Sequence, residues 1–196
     1  FGNRIEKFSS EPCADKLSNI DYLNHMIPHH QVAIDVSLML QKKSQSVTMQ
    51  NILRKIIWVQ QYEISLMKTA MDSIQFMNVS NETINMNREY KSTVGNHIEP
   101  NKLELTNTYC DPHFFNPDKH MEHIKHMNMD DEMYINHMIP HHQVAVDMSK
   151  KILKHTKNDF MIQLAYRIIN SQQAEIVLLN DLLKKGSCLY KSYMIK

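Results

Sequence analysis

A ten-residue block that occurs twice in this chain constrains its fold more than any other feature. Asn24–Ala33 reads NHMIPHHQVA, and the same ten letters return at Asn136–Ala145, 112 residues further on. The offset holds without a gap beyond the block, because Trp58–Ile64 aligns with Asn170–Ile176 on shared Gln-Gln and Glu-Ile positions. We interpret the chain as a tandem duplication of a unit of roughly fifty residues, in which each copy needs the other to bury its apolar face.

Apolar periodicity and helix breakers predict two helices in each half. The first half reads as helices over 15–43 and 49–77, separated by a Ser/Gln/Thr break. In the second half, a helix from Asp118 or Asp130 to Lys154 is followed by a helix over 159–185 that Gly186 is expected to end.

These helices define a domain organisation and a fold. The predicted segments are a lead-in (1–14), a first repeat (15–77), a connector (78–117), a second repeat with a His- and Met-rich entry (118–186) and a tail (187–196). Two antiparallel hairpins that cannot bury their apolar faces alone predict an all-α four-helix bundle, with a pseudo-two-fold axis relating the halves.

Composition narrows the function classes. The formal charge of +1 gives no general electrostatic case for nucleic acid, and no apolar run approaches the length of a membrane span. Because the sequence begins at Phe1 without an initiator Met, we expect a processed form or a fragment, and export cannot be read from it.

Cys13, Cys110 and Cys188 are dispersed, which leaves one disulfide with a spare thiol and three free thiols as alternatives.

The histidines of the repeated block share one face of the first helix. On a helical wheel, His25, His29 and His30 fall on the apolar half, around small side chains. Pro28 lies within the helix and is expected to kink it between two of these histidines. Large ligating side chains around small residues have the shape of a pocket.

The second helix of each half supplies a carboxylate. Glu63 lies at the centre of an apolar stripe, and Glu175 holds the same place in the second copy. A buried carboxylate needs a cation or a hydrogen-bond donor, so the imidazoles of the first helix are its candidate partners.

Histidines four residues apart on a helix can chelate one ion, and Met thioethers favour copper, above all Cu(I). Zinc is an alternative metal, and a polar core whose His–Glu hydrogen bonds need no metal is an alternative to any metal. The predicted ligands are His25, Met26, His29, His30, Glu63, Met67, His137, Met138, His141, His142 and Glu175, with Gln60 and Gln172 in support.

A second signal is a His- and Met-rich tract that has no counterpart in the first copy. Such tracts bind copper, with Met preferring Cu(I) and His accepting both oxidation states. A solvated approach to the helix with incidental Met is the alternative. The tract contains His113, His120, Met121, His123, His126, Met127, Met129 and Met133.

Several catalytic classes are not supported. Gln follows the His pair, so the His-Glu-x-x-His motif of zinc peptidases is absent. A ferritin-type di-iron site needs four inward carboxylates, but only Glu63 and Glu175 are predicted to point inward. General acid–base catalysis by His and Glu lacks a nucleophile or substrate pocket. We therefore predict a protein that is not an enzyme.

The string HMIPHHQVAID, followed about thirty residues later by a Gln-Gln-x-Glu-Ile motif, resembles the DUF305 family in both halves. That resemblance implies a ferritin-like four-helix bundle in two tandem copies. The family includes CopM-like proteins, exported copper-binding and copper-resistance factors, so it also implies Cu(I) or Cu(II) as ligand and an exported location. Leu179 stands where the first copy has Met67, so the two sites are expected to differ.

We therefore predict a metal-binding bundle, most simply for copper, that acts in metal sequestration, delivery or resistance. The rival hypothesis is a structural or interaction protein, a subunit of a larger assembly that binds protein partners and no metal.

Overall fold

The chain forms an all-α bundle in the computed structural model, which describes residues 11–14, 16–81 and 110–193. No strand occurs in these ranges, so the predicted fold class is confirmed. The helices are α1 (Asn19–Gln41), α2 (Val47–Asn81), α3 (Pro117–Lys125), α4 (Asp131–Leu153) and α5 (Asp159–Tyr193), with a 3-10 turn at Pro112–Phe115 between α2 and α3. None of the described helices carries an apolar stretch long enough to cross a membrane.

Side-chain caps set where the helices begin. The Ser18 hydroxyl accepts the backbone N–H of Asp21, so α1 starts four residues later than predicted. Pro28 lies inside α1 and Pro140 inside α4, and both helices continue past them.

The end predicted for the last helix is wrong. Instead of stopping at Gly186, α5 continues through it to Tyr193. Glycine inside a helix costs only about 1 kcal/mol relative to alanine, and no proline follows to enforce an end. The predicted tail is therefore helical up to Tyr193.

The sequence predicted that the second half begins with a helix at Asp118 or at Asp130, and the structure has a helix at each of these places. Asn116 caps α3 by accepting the N–H of Lys119, and Asp130 caps α4 by accepting the N–H of Met133 at 2.8 Å. The predicted connector over 78–117 is shorter than expected, because α2 reaches Asn81 and the 3-10 turn begins at Pro112. Its residues 82–109 lie outside the described ranges.

Two long hairpins make up the bundle, with α1 packed on α2 and α4 packed on α5. The hairpins meet through α1 against α4 and through α2 against α5. One hydrophobic cluster includes Tyr22, Met26 and Met67, and a second includes Tyr134 and Met138, all fully buried. The polar layer described below lies among these apolar side chains.

Reciprocal hydroxyl pairs join the two halves. The Tyr22 hydroxyl lies 2.7 Å from Ser149 Oγ, and the Tyr134 hydroxyl lies 2.7 Å from Ser37 Oγ. Burial raises the pKa of both tyrosines, which therefore stay protonated. Residue 134 follows residue 22 by the same 112 positions that separate 149 from 37, so the two contacts exchange roles as a pseudo-two-fold axis requires.

A disulfide joins Cys13 to Cys110, whose Cα atoms lie 6.2 Å apart. Of the alternatives that the sequence left open, the structure therefore has the disulfide. The Cys13 carbonyl also accepts a hydrogen bond from Lys151 Nζ at 2.8 Å, which holds the N-terminal segment on α4.

Candidate metal centre

Two histidines meet at the contact between α1 and α4. The rings of His29 and His141 have centroids 3.7 Å apart at an interplanar angle of 31°, and both side chains are fully buried. Nε2 of His29 lies 3.1 Å from the backbone carbonyl of His141 and so donates to it. In a neutral ring this leaves Nδ1 of His29 with a free lone pair.

The neighbouring histidine of each half pairs with the buried carboxylate on the next helix. His30 Nε2 donates to Glu63 at 2.9 Å, and His142 Nε2 donates to Glu175 at 2.8 Å. All four side chains are at most 1 % exposed. Each pair joins the two helices of one hairpin.

The two carboxylates differ in their remaining partners. Oε1 of Glu63 accepts a hydrogen bond from Ser171 at 3.0 Å. Oε1 of Glu175 has no hydrogen-bond partner and lies 3.8 Å from the ammonium of half-exposed Lys55. Val59 occupies the position in the first half that corresponds to Ser171. The two halves are therefore chemically unequal.

A pocket of about 130 Å³, the outer pocket, lies between the 3-10 turn, α3 and the start of α4. Its wall contains histidine rings, methionine side chains and one carboxylate. The His120 and His137 rings lie 4.8 Å apart, centroid to centroid, and those of His113 and His123 lie 5.8 Å apart. The lining residues are Asp111, His113, His120, His123, Ile124, Met127, Met129, Met133 and His137.

Two phenylalanines of the 3-10 turn pack against the histidines buried at the contact between α1 and α4. Phe114 is 4 % exposed, and its ring centroid lies 4.8 Å from that of His141 and 5.3 Å from that of His137. Phe115 lies 5.3 Å from His29. The 3-10 turn therefore covers the imidazole layer with aromatic side chains.

Buried polar atoms without a hydrogen-bond partner are concentrated in this region. All twelve such side-chain atoms in the described part of the chain belong to nine residues that the sequence analysis had selected. These residues are His29, His30, Gln60, His120, His137, His141, His142, Gln172 and Glu175. Because buried polar groups normally have partners, this concentration indicates a layer built to hold water or a ligand.

Four of the imidazoles, those of His29, His120, His137 and His141, are held neutral at physiological pH. Burial, followed by the charges of neighbouring histidines, holds the pKa of His29 and His141 well below its usual value. Burial likewise lowers the pKa of His120 to about 4 and lowers the pKa of His137. A neutral imidazole keeps a lone pair for a metal ion.

The acidic residue of the pocket is ionised. Partial burial acts to raise the pKa of Asp111, but hydrogen bonds from the backbone and ring of His113 outweigh burial, and the pKa lies below its usual value. The pocket therefore combines the neutral imidazoles of His120 and His137 and methionine sulfur with one negative charge.

We expect the free energy of unfolding of the metal-free protein to fall as the pH drops below about 6.5, the ordinary pKa of histidine. Below that pH the unfolded chain binds protons that the buried histidines do not yet bind, which favours unfolding. Each such histidine adds a slope of about 1.4 kcal/mol per pH unit until its folded pKa is reached. Urea unfolding at a series of pH values measures the slope.

The control for this pH dependence is His29→Gln/His141→Gln, which removes two of the groups with a lowered pKa. Its pH slope should be shallower than that of the unaltered chain. Equal slopes would contradict the assignment of the effect to this ring pair.

The predicted ligands fall into four groups. His29, His30, His141, His142 and the two glutamates form the inner layer, together with Gln60 and Gln172; His137 lines the outer pocket; and His25, half-buried, packs its ring edge against Phe115. Met26, Met67 and Met138 are packed within the hydrophobic clusters.

Most of the His- and Met-rich tract converges on the pocket, but not all of it. Met121 instead packs against the second hydrophobic cluster, and His126 is exposed at the end of α3.

Asp111 and Phe114 belong to the site but escaped the sequence analysis. Both residues lie in the predicted connector over 78–117, although Asp-Pro at 111–112 and Asn-Pro at 116–117 are N-cap pairs with Pro at the first helical position. Those pairs were the signal that the segment is ordered.

The candidate ligand side chains do not surround a single position at which one metal ion could bind. Within the ranges 11–14, 16–81 and 110–193, no group of three or more His, Cys, Asp or Glu side chains is arranged to hold a metal ion. Methionine sulfur lies outside that set, and the pocket wall contains three methionines. The donor types fit a soft metal, and side-chain rotation would be needed to converge them.

Fold and site together define a histidine-lined helical bundle. The model of the family described as "Domain of unknown function (DUF305)" matches residues 19–183, in a single match across both halves. The chain belongs to the DUF305 family, as predicted, while the two tandem copies stay a prediction.

Solved structures show the same fold. CopM in the Cu(II)-bound form has a TM-score of 0.60 and 26 % identity, over 86 % of this chain and 97 % of CopM. CopM in the Cu(I)-bound form has a TM-score of 0.61 and 24 % identity, over 87 % and 99 %. A DUF305 fragment from Deinococcus radiodurans has a TM-score of 0.56 and 18 % identity, over 85 % and 95 %.

A curated relative is Uncharacterized protein L153 of Acanthamoeba polyphaga mimivirus, 51 % identical over 55 residues. The match covers 28 % of this chain and 36 % of that protein, so the chain spans about a third of the length of the curated relative it matches.

Proposed function

We propose that this protein binds copper, as Cu(I) in the first place, in the pocket between the 3-10 turn, α3 and α4. It acts in copper sequestration, delivery or resistance, without turnover. The ligands come from His120, His137 and the pocket methionines, with Asp111 supplying negative charge beside them.

The observation that carries this proposal is that buried imidazole nitrogens without hydrogen-bond partners occur in the wall of a pocket that also contains methionine side chains. Both ring nitrogens of His120 and Nε2 of His137 are among them. Leaving a polar atom buried and unpaired costs about 1–3 kcal/mol, so water or a ligand is expected to pair with these atoms. The methionine side chains in the same pocket wall favour a soft metal ion as that ligand.

The donor set favours copper over harder cations. Thioether sulfur and imidazole nitrogen suit Cu(I), whereas Mg²⁺ and Ca²⁺ require several oxygen ligands. The similarity to CopM, whose structure has been solved with Cu(II) and with Cu(I) bound, supports the same choice. Zinc remains the alternative for the nitrogen donors alone.

Titration with Ag(I), a redox-inert probe of the Cu(I) type, and then with Cu(I) under a competing chelator tests the proposal. The protein is purified without a metal-affinity step and carries Cys188→Ser, so that no thiol competes for the metal. We expect one tight equivalent, because the His- and Met-rich tract that lines the outer pocket has no counterpart in the sequence of the first half. Mg²⁺ in large excess should not displace it.

Two outcomes would overturn the proposal. One is the absence of a tight Ag(I) or Cu(I) equivalent. The other is a tight equivalent that survives substitution of the pocket histidines, a variant considered in the Discussion.

The inner His–Glu pairs favour a second role, which is structural. They are fully buried and bridge the helices of each hairpin, as a polar core without metal requires. This role belongs to a different layer from the outer pocket and is compatible with metal binding there.

An oxidising location accords with the proposal. Disulfides such as Cys13–Cys110 persist in exported proteins and are rare in reducing compartments. We therefore propose that the protein works in an oxidising compartment, in agreement with the export that the family resemblance implies.

A further inference from the structure

The outer pocket is assembled largely from one segment, 110–129, laid against α1 and the start of α4. This segment begins at Cys110, immediately before the lining residue Asp111. Asp111 also caps the 3-10 turn by accepting the N–H of His113 at 2.9 Å. The disulfide therefore joins the chain one residue before the first residue of the pocket.

The segment 110–129 has few interactions that hold it in place. The helix α3 spans only nine residues, and helices this short are marginal in water without tertiary restraint. Its buried anchors are few: Phe114, His120, Ile124 and Met129 are each at most 4 % exposed, while most of α3 faces solvent. A covalent restraint at its start therefore has a large effect on its position.

The other end of the disulfide is anchored on the bundle. The carbonyl of Cys13 accepts a hydrogen bond from Lys151 near the end of α4, and the carbonyl of Leu17 lies 2.7 Å from His155 Nε2, which donates to it. The crosslink, between residues 97 positions apart, thus ties the pocket segment to the bundle that carries His137.

We infer that the Cys13–Cys110 disulfide positions Asp111, Phe114 and α3 over His137, so that the soft-metal pocket is complete only in the oxidised protein. This inference rests on the proposed function. A dithiol reductant would convert the disulfide to two thiols, supplying both electrons and both protons and itself becoming a disulfide. The pocket segment would then lose its restraint while the bundle persists.

The test compares Cys13→Ser/Cys110→Ser with the oxidised parent, both in the Cys188→Ser background. Serine gives the connectivity of the reduced state without adding thiolates, which would bind Ag(I) themselves. We expect Ag(I) affinity in the double variant to fall by about tenfold or more, the effect of losing about 1.4 kcal/mol of positioning.

Hydrogen exchange in the metal-free proteins separates positioning from general stabilisation. Amides of 117–125 should exchange at least about tenfold faster in the double variant, while those of the buried part of α4 stay protected. A uniform loss of protection over all helices would show a merely structural disulfide and overturn the inference.

The two proposals fail in different ways. If parent and double variant bind Ag(I) equally tightly, the disulfide has no role in positioning and the proposed function stands. If neither protein binds Ag(I), the proposed function itself is overturned.

Discussion

Replacing both pocket histidines, as His120→Ala/His137→Ala, is expected to abolish the tight Ag(I) or Cu(I) equivalent and leave the bundle folded. Loss of a residue that only supports a ligand weakens metal binding by about 10- to 100-fold, so loss of two ligands should exceed about 100-fold. Competition titration measures the affinity, and circular dichroism reports the helical content.

The fold should survive because these two rings have few partners to lose. Neither ring nitrogen of His120 makes a hydrogen bond, and Nε2 of His137 makes none. Alanine therefore removes ring packing against Phe114 without leaving another buried polar atom unpaired. The double variant tests the metal site more than it tests the core.

His25→Ala provides the matched control within the same chain. His25 is the residue that corresponds to His137 under the 112-residue offset, but no His- and Met-rich tract precedes it. We expect this variant to keep the tight equivalent at nearly the parental affinity. If His25→Ala and the pocket double variant lose metal equally, the site does not lie in the outer pocket.

Much of the bundle could be predicted because its signals repeat. The periodicity of the duplicated block predicted the helices, and the wheel placed Glu63 inward towards the imidazoles, where it meets His30. Such contacts follow from which residues face the core. The exchanged contacts of Tyr22 and Tyr134 involve hydroxyls that periodicity does not single out.

The sequence predicted the outer pocket only as a tract rich in His and Met, without the contacts that form it. Its residues come together because a segment without sustained periodicity folds back on α4, under a crosslink between positions 97 apart. Spacing alone did not pair Cys13 with Cys110, and it did not predict that Phe114 would be buried beside His141. Long-range contacts of this kind leave no local pattern in a single sequence.

Two layers of histidine therefore have different chemistry in one bundle. In the inner layer, His30 and His142 are held by carboxylates across each hairpin, which commits their Nε2 atoms to hydrogen bonds. In the outer layer, His120 and His137 are neutral, and their unpaired ring nitrogens belong to a pocket wall that also contains methionine side chains. Mutations in the inner layer are tested by measuring stability, and mutations in the outer layer are tested by measuring metal binding.

For the inner layer, His142→Ala is expected to lower the free energy of unfolding by about 3–5 kcal/mol, since it leaves the Glu175 carboxylate buried without its donor. The matched variant His30→Ala should cost less, because Glu63 keeps the Ser171 hydroxyl at 3.0 Å. A hydrogen bond to a charged group contributes about 1.5–3 kcal/mol. Half-exposed Lys55, 3.8 Å from Glu175, contributes less, because solvent screens it.

Urea unfolding of the metal-free proteins with a chelator present measures both losses without any contribution from metal.

The correspondence between the two halves suggests a compensating substitution. Val59→Ser, at the position that corresponds to Ser171, should recover part of the stability lost in His142→Ala by giving Glu175 a hydroxyl partner. Conversely, Ser171→Ala should make His30→Ala as damaging as His142→Ala. If the two single histidine variants are equally stable, or if the serine substitutions change nothing, partner hydroxyls do not account for the stability of the buried carboxylates.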